Sequence, residues 1–392
     1  MKICFVTNNI ADKGGVQRVL SVVANGLSDR YEVSILMTSP SKTAEQHAYQ
    51  LSKKVTVLMD DSFSKARKKY HKALGFINKK IVRFHNTNFL REIYFPRREI
   101  NIYNQFFERH SFDVIIGVQP RAAGIVSLLD TKAAKFGWMH NTYDAYFESP
   151  QRYQWRQDYL YKILFGRLDK LIVLTDHDKK EYAKRLNQTN VVRIYNPLSF
   201  TSETKSPLNG EKLVFVGRFQ YEQKGLGLLI DVIKNVKREI PNISLDVIGD
   251  GPDKKRFIQE SIAEGVDMNL NFKGMVDNVQ DYYRNGDLFL LTSKYEGFGL
   301  VVTEAMECGL PVVSFKTEGP SEIIFDGENG FLIDKFDVAE FAKKVVLLCH
   351  DGELRRTMGK NAQRRARDFS VNTIMDQWHS LFVDLEKKQV HM

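Results

Sequence analysis

Apolar residues along this chain fall into short, nearly unbroken runs separated by longer stretches of mixed polarity. In the first half the runs are KICFVTN, YEVSILMTS, VTVLM, FDVIIGVQ, AKFGWMH and LDKLIVLT, with NVVRIYNP closing the series. Between the first two runs, Val16, Val19, Leu20, Val23 and Leu27 recur with a period near 3.6, which predicts a helix. A second helix is predicted from TDHDKKEYAKRL. Strands that are apolar throughout, separated by helices, predict a parallel sheet covered on both faces. From Ser199 to Gly210 the chain turns polar (SFTSETKSPLNG), the best candidate for a linker. The pattern then restarts. KLVFVGR, ISLDVIGDG, MNLNFKGM, DLFLLTS, PVVSF and GFLID read as strands, with helices between most of them and helices to the C-terminus. The expected architecture is α/β, with two doubly wound domains facing each other across a cleft. Their expected spans are 1–200 and 211–368. A final helix within 369–392, carrying Trp378, Leu381 and Phe382, is placed to cross back onto the first domain.

The length of 392 residues agrees with two cores rather than one. Cys4, Cys308 and Cys349 show no pair spacing and read as buried thiols in a reducing compartment. The apolar run in MKICFVTNN is too short for a signal peptide, and no run reaches the ~18 residues of a membrane span, so a cytoplasmic location is expected. The net charge of +9 is unevenly spread. From Asp61 to His110, twelve Lys and Arg, among them Lys65, Arg67 and Lys68, stand against four acids. Aromatic residues such as Phe63, Tyr70, Phe76, Phe84 and Phe89 are interleaved with them. A basic, aromatic segment implies an anionic partner.

The candidate chemistry centres on Ser293–Pro311, SKYEGFGLVVTEAMECGLP. Glu296 and Glu304 stand eight positions apart, with Gly297, Phe298 and Gly299 between them. A strand feeds the stretch, and a helix is predicted to begin near Gly299. Such a turn aims backbone N–H groups and the positive end of a helix dipole at one point, which suits a phosphate or diphosphate. The two carboxylates are then free to accept hydrogen bonds from sugar hydroxyls. Gly217-Arg218 ends the first strand of the second half, and Lys224-Gly225 opens the next helix, so two cations share a sheet edge with Glu296. They suit the neutralisation of a departing diphosphate.

Gly249-Asp250-Gly251 follows a strand and fits a close approach to a nucleotide or a plain turn equally well. Gly14-Gly15 precedes the first helix and fits an anion or acceptor contact. His140 ends the fifth strand and is placed to donate to a sugar hydroxyl. Asp176-His177-Asp178 has metal-like spacing, yet reads better as the capped start of a helix. No other metal-ligand set, nucleophile elbow or P-loop is present.

Taken together, GRF…KG, VIGDGP, FKGMV, DLFLLTSKYEGFGLVVTEAMECGLPVVS, EGPSEII and GENGFL resemble the family 4 retaining glycosyltransferases. These have two Rossmann-like domains in the architecture called GT-B. The likeness implies an N-terminal acceptor-binding domain and a C-terminal nucleotide-sugar-binding domain. It implies Glu304 on the donor ribose, Glu296 near the donor sugar hydroxyls, and the backbone of Phe298, Gly299 and Leu300 against sugar or diphosphate. Arg218 and Lys224 would hold the diphosphate, Gly249 and Met275 would lie near base and phosphates, Gly15 would touch the diphosphate, and His140 would meet the donor sugar. Tyr195-Asn196-Pro197 would serve as a hinge. One departure stands out: Arg218 and Lys224 are six positions apart where family members have five, so Phe219–Gln223 must absorb a residue.

The implied reaction moves a hexose or N-acetylhexosamine from a UDP-sugar by a front-face, retaining route, with no metal or cofactor. The implied acceptor is a glycan, such as a polyprenyl-diphosphate-linked saccharide for surface polysaccharide. The basic segment 63–110 would then rest on the anionic inner face of the plasma membrane, and no nucleic-acid motif competes for it. Two other readings are a catalytically silent sugar-binding subunit and a nucleotide-sugar epimerase.

Overall fold

The computed structural model describes residues 1–39, 49–60, 62–63, 69–150 and 153–390, with backbone only from 386. Lys65, Arg67 and Lys68 of the basic segment lie outside the described residues. The chain divides into two units, Met1–Pro197 with Ile374–Met392, and Leu198–Thr373.

Unit 1 is built on a seven-stranded sheet of β1 (Lys2–Thr7), β2 (Glu32–Met37), β3 (Val55–Met59), β4 (Val114–Val118), β5 (Ala134–Trp138), β6 (Lys170–Val173) and β7 (Val191–Arg193). Its spatial order is β3-β2-β1-β4-β5-β6-β7, and every pairing is parallel. Unit 2 repeats the scheme with β8 (Lys212–Val216), β9 (Ser244–Ile248), β10 (Leu270–Gly274), β11 (Leu288–Leu291), β12 (Val312–Phe315) and β13 (Gly330–Ile333). Its order, β10-β9-β8-β11-β12-β13, is again wholly parallel. Central strands are buried along most of their length (five of six residues in β1, all four in β11), which is why they read as continuous apolar runs. In each sheet the strand order reverses at one place, between β1 and β4 and between β8 and β11. Ligands of open α/β sheets bind outside the carboxyl ends at such a point.

The helix Val371–Val390 belongs to unit 1 from Ile374 onward. There Trp378 lies 5.1 Å from Trp138 and 6.3 Å from Phe5, ring centre to ring centre, and Phe382 stacks on Phe136. Trp378 and Phe382 are fully buried. No helix among the described residues is long and apolar enough to cross a membrane.

Two features differ from the sequence reading. The polar stretch 199–210 is not a free linker, because the division falls at Pro197/Leu198 and the stretch is pinned to unit 2. Glu307 accepts from the Ser202 N–H (2.9 Å) and from Lys205 Nζ (2.8 Å), and Asp287 accepts from the Gly210 N–H (3.0 Å). The buried Arg355 guanidinium donates to the Leu208 carbonyl through Nε and Nη2 and to Leu348 and Cys349 through Nη1. The second boundary likewise falls at Thr373/Ile374 rather than at 368/369. Among its described residues the basic segment forms three α-helices, Lys69–Lys80, Thr87–Tyr94 and Arg97–Arg109. Asn86 caps the second by accepting the Phe89 N–H (2.9 Å), and Pro96 starts the third with its fixed φ.

Candidate active site

The site of unit 2 forms where β8 and β11 end side by side. β8 leads into Gly217 and Arg218. The next residues do not loop outward. Phe219 is buried against Phe257 and Phe272, 5.6 and 6.4 Å away between ring centres. The Tyr221 N–H donates to Asp253 (2.7 Å), its hydroxyl donates to Glu260 (2.5 Å), and Arg256 lies 3.5 Å over its ring. Tyr221–Lys224 then makes a single helical turn. Arg218 remains exposed and has no ion-pair partner among the described residues.

Lys224 is carried inward. Its Nζ lies 2.5 Å from Glu296 Oε1, and the Ser293 hydroxyl donates to the same oxygen at 2.8 Å. Both side chains of the ion pair are about nine-tenths buried. The loop carrying Glu296 is tied to the Lys224 turn three times more, through Thr292 Oγ1 to the Lys224 carbonyl (3.0 Å), the Lys294 N–H to the Gln223 carbonyl (2.8 Å) and Lys294 Nζ to Glu222 (2.9 Å). Sequence spacing thus placed cation and carboxylate on one edge; the fold pairs them directly.

Beyond Glu296 the chain makes the turn that starts the helix Leu300–Glu307. Gly299, at its N-cap, has φ of 96°, a left-handed conformation that glycine adopts without strain. Phe298 is buried against Phe369, Gly299 is buried, and Leu300 is half-buried. Glu304, inside the helix, is buried and accepts from the Tyr283 hydroxyl at 3.2 Å. Met275, just past the end of β10, is exposed. Gly249 has a different explanation from either one the sequence left open. Its φ is 134°, and a Cβ there would sit 1.9 Å from the Gly217 carbonyl oxygen. Two strand ends meet at that point, and the meeting alone requires glycine.

Gly15 and His140 belong to unit 1. Gly15 is exposed at the first position of the helix Gly15–Leu27 that follows β1. Its neighbour Gly14 is extended, with its N–H donating to the Tyr49 hydroxyl (3.1 Å). His140 follows β5, its ring centre 4.3 Å from that of Trp138. The residue keeps some exposed surface, but its Nε2 is buried with no hydrogen-bond partner among the described residues. Burial lowers its pKa to about 3, so the imidazole is neutral at physiological pH.

The model described as Glycosyltransferase Family 4 matches residues 13–200, and that described as Glycosyl transferases group 1 matches 200–365. Together they span both units. The chain belongs to the family 4 type of glycosyltransferase. A Campylobacter jejuni α-1,4-N-acetyl-D-galactosaminyltransferase, named for the substrate GalNAc-α-(1→4)-GalNAc-α-(1→3)-diNAcBac-PP-undecaprenol, is 25% identical over 98% of this chain and 99% of its own. Among solved structures, a mutant Staphylococcus aureus TarM in complex with fondaparinux, α-GlcNAc-glycerol and UDP aligns with a TM-score of 0.78 at 16% identity, covering 97% of this chain and 99% of that one. HepE of Anabaena in complex with UDP aligns at 0.75 and 21% identity, covering 98% and 100%. The fold of this glycosyltransferase is therefore the GT-B fold.

Three residues of the glycosyltransferase escaped the sequence reading. Ser293 lay inside the motif, but only geometry shows that it holds Glu296. Tyr283, on the helix Gln280–Arg284, reaches Glu304 from 21 positions away. Gln119, the first residue after β4 at the switch point of unit 1, holds φ of 70°. That conformation costs a non-glycine residue about 1–3 kcal/mol, and such strain gathers at functional sites. Asp176-His177-Asp178 is the start of the helix Asp176–Leu186. Thr175 caps it by accepting the Asp178 N–H (2.9 Å), and Arg193 Nε pairs with Asp176 at 3.3 Å. Among the described residues no group of three or more His, Cys, Asp or Glu is arranged to hold a metal ion.

The state of His140 is testable. Its ring signals are expected not to titrate between pH 8 and 5 in the folded protein, whereas an ordinary histidine titrates near 6.5. Because the folded pKa lies below the unfolded one, the unfolded chain binds the extra proton as pH falls from 6.5 toward 3. Stability then declines by up to ~1.4 kcal/mol per pH unit from this group, and above 6.5 the group contributes no pH dependence. His140→Gln should remove that share of the acid sensitivity. A normal His140 titration by NMR would contradict the burial of Nε2.

Proposed function

We propose that this glycosyltransferase moves a hexose or N-acetylhexosamine from a UDP-sugar, with retention at the anomeric carbon, to a polyprenyl-diphosphate-linked saccharide in surface polysaccharide synthesis. The observation that carries the reading is the cluster at the switch point of unit 2. There an exposed Arg218, without an ion-pair partner among the described residues, and a buried Lys224–Glu296–Ser293 group stand at adjacent strand ends, beside a helix start capped by Gly299. Cations and backbone N–H groups suit a diphosphate, and Glu296 and Glu304 suit sugar and ribose hydroxyls.

In the proposed step the C1–O bond to the β-phosphate breaks and its electron pair stays on the phosphate oxygen. The acceptor oxygen bonds to C1 on the same face, and the acceptor proton passes to that phosphate oxygen. Arg218 and Lys224 stabilise the growing charge. The backbone of Phe298, Gly299 and Leu300 completes the anion contacts in unit 2, and Gly249 and Met275 border the nucleotide. For unit 1, the family resemblance assigns Gly15 to the diphosphate and His140 to the donor sugar. Glu296 already shares its charge with Lys224, which favours a hydroxyl acceptor over a covalent nucleophile. The UDP in the related structures and the undecaprenol-linked substrate in the name of the Campylobacter relative support the donor and acceptor classes. A lipid-linked acceptor would set the enzyme to work at the inner face of the plasma membrane.

The test is a panel of UDP-sugars, scoring UDP release with and without an undecaprenyl-diphosphate-linked acceptor, in buffer with and without a metal chelator. One sugar should be released faster with acceptor, equally in chelator, and NMR should show an anomeric configuration matching the donor. No UDP release from any donor would overturn the proposal, and an inverted product or chelator-sensitive turnover would overturn its mechanism.

A further inference from the structure

The helix Lys69–Lys80 in unit 1 is oriented against its polarity. It buries His71 and Asn78 and leaves Phe76 exposed. At 100° per residue, Lys69, Lys72, Ala73, Phe76 and Lys80 fall on one stripe, and all five are exposed. The turn after it continues the pattern, with Ile81 62% and Val82 55% exposed, beside Phe76 at 58%, Tyr70 at 53% and Phe89 at 44%. From Lys69 to Arg91 the sequence contains no Asp or Glu. Lys69 and Lys72 have no ion-pair partner among the described residues, whereas Arg83 is bound to Asp158 at 2.8 Å.

The exposure is built in rather than loose. Asn78 Oδ1 accepts the Phe84 N–H (2.7 Å) and Nδ2 donates to the Tyr94 hydroxyl (3.0 Å), while that hydroxyl donates to the Gly75 carbonyl (3.2 Å). Buried polar side chains thus clamp this helix to the next one and hold the apolar and cationic residues outward.

We propose that this face, centred on Phe76, Ile81 and Val82 with Lys69 and Lys72, docks on an anionic lipid bilayer. Exposed apolar side chains among cations, on a segment that itself carries no acid, match the boundary between anionic headgroups and acyl chains. A protein partner would not call for both properties together, and a nucleic acid would not use three exposed aliphatic or phenyl groups in a row. The inference rests on the proposed lipid-linked acceptor for its purpose, but not for its physical basis.

The test uses the full chain in co-flotation with phosphatidylglycerol–phosphatidylcholine vesicles and with pure phosphatidylcholine vesicles. Wild-type protein should float with the anionic vesicles only. The triple change Phe76→Ser, Ile81→Ser and Val82→Ser, and the pair Lys69→Glu and Lys72→Glu, should each weaken partitioning at least about tenfold, since each cation near such a surface contributes roughly fivefold. Both sets change exposed residues, and donor hydrolysis without acceptor should remain at the wild-type rate and attest folding. As a check independent of lost binding, Phe76→Trp should show blue-shifted emission on anionic vesicles. Absence of flotation, flotation indifferent to both variant sets, or binding to single-stranded RNA in its place would overturn the proposal. Flotation without turnover of any UDP-sugar would instead leave this docking intact and sink the proposed function.

Discussion

Arg218→Ala is expected to lower kcat by about 10²-fold or more, the scale on which loss of one charge-stabilising donor is felt. KM for the UDP-sugar should change less, because in the proposed step the demand on Arg218 rises as the C1–O bond breaks and charge builds on the diphosphate. The melting temperature should hardly move. Arg218 is exposed and without an ion pair among the described residues, so its truncation strands no buried partner, and such surface changes stay within about 0.5 kcal/mol. Its backbone is fixed independently by the burial of Phe219. Arg218→Lys should recover part of the loss, since a point charge remains where the two-pronged donor is gone. Turnover near wild type in a normally melting Arg218→Ala protein would remove Arg218 from the mechanism.

The architecture was legible because it rests on burial that covers whole strands. KICFVTN and KLVFVGR are apolar between their polar ends because the middles of β1 and β8 are covered on both faces, and the repeat of that pattern marks two doubly wound units. Parts of the site were legible for a related reason. A strand that leads into Arg218, and a neighbouring one that leads into Ser293, must deliver those residues to one sheet edge. What stayed hidden depends on partners far along the chain. Residues 199–210 look solvated until Glu307, Asp287 and Arg355 are seen to bind them. Gly249 reads equally as a ligand contact or a plain turn, and the Gly217 carbonyl that stands where its Cβ would be has no trace in the local sequence. The φ of Gln119 leaves no trace in residue type. In the helix Lys69–Lys80 residue type does not mark the inner face, because the polar side chains His71 and Asn78 are the buried ones.

The Lys224–Glu296 pair gives the second large effect, and it separates two roles of the same ammonium. Lys224→Ala leaves Glu296 nine-tenths buried, with the Ser293 hydroxyl still donating to Oε1. Removing one partner of a buried pair costs about 3 kcal/mol, or a fall of roughly 6–12 °C in melting temperature for a unit of this size. Glu296→Gln should cost less, because the neutral amide can still accept from Lys224, and the double variant should be more stable than the sum of the singles by about 1–3 kcal/mol. Function should divide differently. A diphosphate must share Lys224 with Glu296, so neutralising that carboxylate removes both a competitor and a repulsive charge. Glu296→Gln should therefore bind UDP roughly fivefold tighter or more by calorimetry, while its kcat falls because a hydroxyl acceptor has been weakened. Lys224→Ala should weaken UDP binding and kcat together. If Glu296→Gln instead weakens UDP binding, the carboxylate is organising the cation rather than competing for it, and Lys224 would have to be read as a support for Glu296, with Arg218 alone receiving the diphosphate.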